Sequence, residues 1–406
     1  MNLKYSKDYQ RFREEVRQFI KDHWTEEDVA ANPQLSEMAQ GLGSSPRTDE
    51  RATAFRRAAA ERGYMYRHVP RAYGGGEQAP DPLKATILVE ELKAAKAPVE
   101  LMSQGPAMLV PTLLAHGTEE QKKQYVESTL LGHVRWCQGY SEPGAGSDLA
   151  SLRTSGVLEG DHWVVNGQKI WTSNAREADM MFALIRTEPD EPKHDGISYL
   201  LIDMKTQGID VRPLRQMDGD AHFNEVFLDN VRVPRDSVVG ERGQGWYVSR
   251  STLKAERALI GNASMARRTF DGAVALAQMT QVRGRPAIED PVIRDRLTDL
   301  ESRVLAAEYN GFRLLTESAK GHDGGLAGLV TKLHTSTLAH DVSKLAMNIS
   351  SDAAMLAPGE EHAPFAGMLV QSYIMYYALA IGGGAPNIQR NVIGERGLGL
   401  PRDPRR

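Results

Sequence analysis

Cysteine is almost absent from this sequence, since Cys137 is the only one among 406 residues. A single thiol excludes an intrachain disulfide, which fits a reducing cytoplasm. Cys137 follows Trp136 in an apolar run, so the prediction is a small buried side chain rather than a reactive nucleophile.

Long apolar runs and a strong excess of charge are also lacking. No run of about 18 apolar residues occurs, so no membrane-spanning helix is predicted. The first residues contain no apolar signal-peptide core, and their helical spacing of aromatic and aliphatic side chains predicts an amphipathic helix instead. The net charge of -4 implies no broad affinity for nucleic acid or anionic membranes. The histidines show no ligand spacing, so no metal site is expected.

What the chain does have is length and a clear order of patterns. At 406 residues it exceeds one ordinary core, which favours two or three domains. Helical patterns dominate 1–134, strand patterns dominate 135–242, and helical patterns return over 243–406. The predicted fold class is therefore α+β, with three domains at these boundaries.

Local signals refine each domain. In the first, Thr118 and Gln121 predict a capping box at the start of a helix over 118–130. In the middle, Asn166-Gly167 predicts a hairpin turn joining strands 162–165 and 168–172. In the last, the spacing predicts long helices that form a bundle and also pack against another subunit, at 245–278, 291–319, 326–356 and 366–380.

The segment 138–149, QGYSEPGAGSDL, is a turn-rich loop between a strand and the β block. Gly144 and Gly146 allow the backbone to approach another group closely, and the hydroxyls of Ser141 and Ser147 offer hydrogen bonds. Loops of this kind bind phosphates or polar cofactors, but many are only connections. The residues alone leave both interpretations open.

The string EPGAGSD followed by NGQKIWTSN at 166–174 resembles the signature of the acyl-CoA dehydrogenase family. Similar family segments span almost the whole chain: VPRAYGGGEQ (69–78), HGTEEQKKQYV (116–126), FNEVFLDNVRVP (223–234) and GGGAPNIQRNVIGERGLGLPR (382–402). The resemblance implies an N-terminal helical domain, a middle β-barrel or sandwich domain and a C-terminal four-helix bundle. It also implies FAD held between the last two, with part of the site supplied by a neighbouring subunit.

The activity that the resemblance implies is α,β-desaturation of an acyl-CoA thioester. A base removes the proton at Cα while a hydride leaves Cβ for flavin N5, and electron-transfer flavoprotein is the expected acceptor. A homotetramer or homodimer is the expected assembly, with a heterotetramer as the alternative.

Site residues follow from the resemblance, position by position. Ser147 is expected to contact the CoA moiety. Arg257 lies at the position of the substrate-side arginine, and the alternative for it is an ion pair on the protein surface. Without the motif, Trp171 would be interpreted as an aromatic side chain of the core. The flavin contacts that the resemblance implies are Tyr140, Ser141, Trp171, Ser173, Arg283 and Asn387.

The catalytic base departs from the commoner pattern, in which a glutamate precedes the Ile-Gln-Arg element. Gly383 occupies that position here, and Gly382 replaces the tyrosine before it. A minority of the family, including isovaleryl-type enzymes, places the glutamate just before the substrate-side arginine, and Glu256 matches that position. Glu256 is therefore the predicted base, with the Gly383 N–H as a donor to the thioester oxygen; Glu395 is the rival base, and Glu142 is interpreted as a loop-shaping acid.

A second departure concerns the cross-subunit half of the FAD site. The segment 280–286 lacks the phenylalanine of the usual Arg-x-x-Phe-Gly element, and Ala385 replaces a threonine. Arg283 or Arg285 is the candidate for the pyrophosphate charge. Two alternatives stay open: a non-catalytic or half-site subunit of a heterotetramer, and a flavin oxidase or monooxygenase on the same fold. The glycines at 382–384 mildly favour a bulky acyl group.

Overall fold

The computed structural model describes residues 5–32, 49–260, 263–322, 324–356, 360–363 and 367–402. Contacts divide the chain into two compact units. The first comprises Met1–Gln216 and Ala221–Ala255, and the second comprises Met217–Asp220 and Glu256–Arg406. Helices come first, strands follow and helices return, which confirms the α+β class predicted from the sequence.

Helices open the first unit: α1 (Lys7–His23), α2 (Glu26–Ala31), α3 (Glu50–Glu61), α4 (Pro82–Ala94), α5 (Val110–His116) and α6 (Glu119–Leu130). Helix α1 buries Phe12, Val16 and Ile20, which recur every four residues and so share one face. Thr118 and Gln121 form the predicted capping box at the start of α6, so two amides at this helix terminus are satisfied by side chains.

The strands of the first unit form one mixed sheet in the order β1-β4-β2-β3-β7-β6, with β5 paired to β4. Their bounds are β1 (Trp136–Gly139), β2 (Ser155–Glu159), β3 (His162–Ser173), β4 (Met180–Arg186), β5 (Ile197–Asp203), β6 (Ile209–Leu214) and β7 (Phe223–Pro234). Strands β1 and β4 pair in parallel, whereas β3 and β7 form a long antiparallel ladder. Cys137 is fully buried in this sheet, as predicted, and burial raises the pKa of its thiol.

The predicted hairpin at Asn166-Gly167 is wrong. Strand β3 runs straight through these residues, and the turn that precedes it lies at Gly160-Asp161, between β2 and β3. Gly167 instead marks a β-bulge against β7, with φ of 152°. A Cβ on Gly167 would lie 2.5 Å from Thr154 Oγ1, so glycine is required here for close packing rather than for a turn.

The C-terminal helices are α7 (Gly245–Ile260), α8 (Ala263–Met279), α9 (Pro291–Ala319), α10 (Gly325–Ser350), α11 (Met368–Ile381) and α12 (Pro386–Val392). The boundary between the two units falls within α7. The expected helix 245–278 corresponds to α7 and α8, and residues 261–262 between them lie outside the described residues. The core of the second unit joins α8, α9 and α10 through Phe270, Leu297, Val304, Leu338 and Val342, among others.

Between α8 and α9 lies a short antiparallel hairpin, whose strands β8 (Gln281–Val282) and β9 (Arg285–Pro286) have two residues each. Across the part of the chain that the structure describes, no helix is both long and apolar enough to cross a membrane.

Candidate active site

The loop after β1 begins with a buried tyrosine and closes on itself. Tyr140 is 4% exposed, and its ring packs edge-on against Phe182 and Tyr199. Two residues later, Glu142 and Ala145 exchange backbone hydrogen bonds of 3.0 Å each. Beyond this tight turn, the loop from Gly146 to Asp148 is exposed.

Glu142 shapes this loop from within, which is the role that the sequence predicted for it. Its carboxylate accepts hydrogen bonds from the backbone N–H groups of Arg153 (2.6 Å) and Thr154 (2.9 Å). Lys169 of β3 donates to the same carboxylate at 2.8 Å and to the carbonyl oxygens of Tyr140 (3.3 Å) and Leu184 (2.7 Å). The ion pair therefore joins the start of the loop to two strands.

Burial governs the charges of this pair. The Lys169 side chain is 0% exposed, and burial lowers the pKa of its ammonium to about 8, against the opposing charge of Glu142. Burial alone would raise the pKa of Glu142, but Lys169 and the hydrogen bonds to its carboxylate hold that pKa below the usual value. The opposite charge of each partner therefore offsets the cost of burying the other.

Strand β3 carries an exposed tryptophan at a second irregularity. Trp171 has φ of 59°, within a register shift between Lys169 and Thr172 against β7. Its side chain is 59% exposed, and the ring meets Phe223 edge-on with centroids 6.1 Å apart. A left-handed backbone is costly for a bulky residue, so this conformation indicates a role that the fold alone does not supply.

The loop and the bulge are neighbours. The backbone N–H of Ile170 donates to the Ser141 carbonyl at 2.9 Å, so Tyr140, Ser141 and Trp171 lie on adjoining segments. Ser173 pairs with Phe223 at the end of β3 and is half-buried. The structure therefore gathers the four flavin contacts expected in this unit.

Two features of this region are not explained by packing within the described residues. Among the described residues, the buried Thr172 Oγ1 and Asn224 Oδ1 have no hydrogen-bond partner, although buried polar atoms are normally paired. A Cβ on Gly144 or Gly146 would meet nothing within 4 Å, so packing within the chain does not require glycine at either position. Ser147, the expected CoA contact, lies in this exposed stretch.

In the second unit, three glycines form the turn between α11 and α12. Gly383 has φ of 65° and Gly384 has φ of 108°, both in the left-handed region that favours glycine. A Cβ on Gly384 would lie 2.3 Å from Gln389 Nε2. The Gln389 amide itself donates to the Gly383 carbonyl at 3.2 Å.

A buried lysine of α10 reaches this turn. Lys332 is 3% exposed, and its Nζ donates to the carbonyls of Ala380 (2.8 Å) and Gly384 (2.7 Å). Burial lowers the pKa of this ammonium to about 8, while the charge of Glu256 opposes that shift. Glu256 is half-buried on α7; its charge acts on the Lys332 ammonium, which also donates to the glycine turn.

The remaining expected contacts are distributed differently. Arg283 and Gly284 occupy the β8–β9 turn with φ of 54° and 77°, and Arg283 is exposed there. Asn387 is exposed at the start of α12, where its Oδ1 accepts from Arg390 at 3.1 Å. The rival base Glu395 forms an ion pair with Arg402 at 3.3 Å. The side chain of Arg257 lies outside the described residues.

The sequence patterns did not identify a buried chain of hydroxyl groups that contacts the middle of α7. Thr252 Oγ1 lies 2.9 Å from Thr112 Oγ1 of α5 and 3.3 Å from the Tyr199 hydroxyl of β5. Alongside it, His116 Nε2 lies 2.9 Å from Ser251 Oγ. Thr252 lies in the part of α7 that belongs to the first unit, so these contacts hold that part of the helix against α5 and β5.

Lys169 and Lys332 were also missed, although a signal existed for the second. In α10, Lys332 shares its spacing with the buried Thr335, Ser336 and Ala339, which places it on the buried helix face. No comparable pattern marks Lys169, because the bulges in β3 break its alternation. Among the described residues, no group of three or more His, Cys, Asp or Glu side chains could hold a metal ion.

Comparison with known proteins gives consistent matches over the whole chain. Family profiles match in order: acyl-CoA dehydrogenase N-terminal domain over 6–133, middle domain over 137–231 and C-terminal domain over 243–398. Acyl-CoA dehydrogenase IpdE1 of Mycobacterium tuberculosis is 35% identical over 401 residues, covering 98% of this chain and 99% of that protein.

Two solved structures share the fold at full length. The Tcur3481-Tcur3483 steroid ACAD superposes with a TM-score of 0.78 and 28% identity, covering 99% of this chain and 100% of its own. The ChsE4-ChsE5 complex from Mycobacterium tuberculosis superposes with a TM-score of 0.75 and 28% identity, covering 99% of this chain and 100% of its own.

Proposed function

The chain belongs to the acyl-CoA dehydrogenase family, and on that premise we propose that it desaturates a CoA thioester at the α,β bond, with Glu256 as the base. The observation that supports the proposal is a buried ammonium on which both elements act. Lys332 Nζ donates to the Gly384 carbonyl of the turn, and the charge of Glu256 raises the pKa of the same ammonium against the effect of burial. A carboxylate can accept the Cα proton, and a free backbone N–H in the turn can stabilise charge on the thioester oxygen.

The proton at Cα is weakly acidic, so its removal needs both partners. Glu256 takes the proton, while the Gly383 N–H donates to the thioester oxygen as negative charge develops there. This donor needs no side chain, which is why glycine at the usual base position is compatible with activity. Arg257 follows Glu256 and lines the substrate side in this proposal.

We further propose that FAD is the cofactor, held in the first unit by Tyr140, Ser141, Trp171 and Ser173. When bound, FAD supplies the acceptor for the hydride that leaves Cβ. The exposed Trp171 ring offers a planar surface on which an aromatic ring system can stack. Ser147 in the exposed loop is the proposed contact for CoA.

The proposed substrate class is a CoA thioester with a bulky, ring-containing acyl group. A solved relative at 28% identity is named as a steroid ACAD. The turn at 382–384 also presents no side chains where the commoner family pattern has tyrosine and glutamate. Comparing straight-chain with ring-containing thioesters tests this class, and equal or better reduction by straight-chain thioesters would contradict it.

A second candidate is an assembly in which another chain completes the site. Both solved relatives are named as pairs of proteins, Tcur3481-Tcur3483 and ChsE4-ChsE5. Arg283, which we propose to contact a pyrophosphate, lies exposed at the tip of the β8–β9 hairpin, where it can reach a neighbouring subunit. We propose a multimer of this chain or with a related one, passing electrons to electron-transfer flavoprotein in the cytoplasm. Arg283→Ala should lower FAD affinity, and unchanged affinity would remove Arg283 from the site.

The test of the function starts with the visible spectrum of the protein expressed alone. Anaerobic addition of ring-containing acyl-CoA thioesters should bleach the yellow protein. Glu256→Gln should keep its flavin and lose this reduction, whereas the matched control Glu395→Gln should still be reduced. Full reduction of Glu256→Gln would refute the base assignment.

Two further results would separate the alternatives. Rapid oxygen uptake during turnover would favour a flavin oxidase or monooxygenase. A colourless protein that stays colourless with added FAD would favour an incomplete or non-catalytic subunit, and co-purification with a related chain would then be examined.

A further inference from the structure

Burying Lys332 costs free energy, because its ammonium group loses its hydration when it leaves water. It is 3% exposed, and the structure compensates it with two carbonyl oxygens, at 2.8 Å (Ala380) and 2.7 Å (Gly384). These two carbonyls stand on opposite sides of the glycine turn. The Lys332 nitrogen of α10 therefore binds one carbonyl before and one carbonyl at the end of the turn that joins α11 to α12.

The peptide groups of this turn can be followed one by one. The Gly382 N–H donates to Ala378 at 2.7 Å, the Gly383 carbonyl accepts from Gln389, and the Gly384 carbonyl accepts from Lys332. The peptide between Gly382 and Gly383 is different. Within the described residues, neither its carbonyl nor its N–H has a hydrogen-bond partner.

Bonded peptides thus flank one unbonded peptide, and the unbonded one carries the Gly383 N–H. Glycine at φ of 65° and 108° gives this segment wide conformational freedom, so the N–H direction is not set by the residues of the turn. The direction is set by the groups that hold its flanks, and Lys332 holds both the Ala380 and the Gly384 side. The charge of Glu256 acts on the same ammonium.

We propose that Lys332 is a positioning residue: its ammonium fixes the Gly382–Gly384 turn so that the Gly383 N–H stays directed at the thioester oxygen while Glu256 removes the Cα proton. This inference rests on the proposed function and assigns the part that organises its oxyanion donor. Lys332 itself does not touch the substrate. A purely structural alternative is that Lys332 only caps the C-terminal carbonyls of α11.

The experiment compares Lys332→Met with Lys344→Met, an exposed lysine on the same helix α10. Three quantities are measured on purified, FAD-loaded protein: flavin content, the dissociation constant of a non-oxidisable CoA thioester, and the limiting rate of flavin reduction by a reactive thioester. Lys332→Met should retain flavin and bind the analogue within a few-fold of wild type. Its reduction rate should fall about 100-fold or more, as for loss of one preorganised donor. Lys344→Met should match wild type in all three.

Amine rescue separates positioning from capping. In Lys332→Ala, added n-propylamine can occupy the vacated space and restore a nitrogen near both carbonyls. Reduction should recover with amine concentration and should not recover with an equal concentration of sodium chloride. Backbone hydrogen exchange over 380–386 should be faster in Lys332→Ala and slower again with the amine.

Each outcome bears on a different claim. If wild type is reduced and Lys332→Met is reduced at the same rate, the positioning role is refuted while the proposed function stands. A rate loss that follows the loss of folded, flavin-loaded protein and that no amine rescues would leave only capping, which also refutes the proposal. If no thioester reduces wild type although FAD is bound, the proposed function itself fails.

Lys332→Arg serves if Lys332→Met does not accumulate as folded protein. It keeps the positive charge but cannot place one nitrogen between the same two carbonyls. The same rate loss with retained flavin is expected, and a wild-type reduction rate would overturn the proposal.

Discussion

Replacing Lys169 with methionine isolates the buried ion pair that holds the start of the loop after β1. The substitution removes a 2.8 Å contact to Glu142 and two carbonyl contacts, at 2.7 Å and 3.3 Å. Glu142, whose side chain is 8% exposed, would keep only the N–H groups of Arg153 and Thr154. Removing one partner of a buried pair costs roughly 3–5 kcal/mol, because the remaining charge is uncompensated. We expect Lys169→Met to lose about that free energy of unfolding.

A sharper test is the sign of the change in unfolding free energy that a second substitution, Glu142→Gln, causes in two backgrounds. Glu142→Gln should destabilise the wild-type protein, because it leaves Lys169 buried without its counter-ion. In the Lys169→Met background the same change should stabilise the protein, because it removes the stranded carboxylate and retains an oxygen for the two backbone donors. A double-mutant cycle from urea unfolding of the flavin-free protein measures this coupling.

A matched control uses the exposed ion pair on the same loop. Lys193 contacts Asp148 at 2.6 Å, with side chains 46% and 66% exposed. Lys193→Met should change the free energy of unfolding by about 1 kcal/mol at most. The reasoning is refuted if Glu142→Gln has the same sign and size in both Lys169 backgrounds, or if Lys169→Met costs no more than the control.

Further predictions concern the turn, the pH response and the hydroxyl chain. Gly384→Ala should lower the free energy of unfolding by roughly 1–3 kcal/mol in denaturant titrations, because it combines a left-handed φ with a clash at the Gln389 amide; an unchanged midpoint would contradict this. The pKa of Glu142 is held below its ordinary value of 4.5, so its stabilising contribution is complete above that pH and is lost as pH falls through the lower folded pKa. Glu142→Gln should therefore flatten the acid limb of the stability curve, and an unaltered limb would show that other carboxylates dominate. Thr252→Val should cost roughly 1–3 kcal/mol, because it leaves the buried hydroxyls of Thr112 and Tyr199 short of a partner; a loss no larger than that of an exposed Thr→Val control, Thr298→Val, would argue against this chain.

The sequence predicted the element types well where the signal was local. The capping box of α6 depends on residues three apart, and both of its bonds are present. The burial of Cys137 followed from its apolar neighbours. The strand patterns over 135–242 likewise match the position of the large sheet, whose seven strands all lie between Trp136 and Pro234.

Predictions failed or were incomplete where distant residues decide the outcome. Asn166-Gly167 has ideal turn chemistry, yet pairing with β7 and the proximity of Thr154 make Gly167 a bulge inside a strand. Tertiary packing overrode a local preference there. The partners of Lys169 are 15 to 29 residues away, and those of Lys332 are about 50 residues away, so no local pattern could have named them. The roles of Glu256 and Gly383 remain predictions, drawn from family position and supported by their shared neighbour.

The left-handed backbone of Gly383 also limits which residues this position can accept. The commoner family pattern has a glutamate at this position, but a glutamate placed on a backbone with φ of 65° would carry a conformational penalty of roughly 1–2 kcal/mol. A glutamate introduced at position 383 would therefore strain the turn. The geometry of the turn thus disfavours any side chain at position 383, whatever its chemistry.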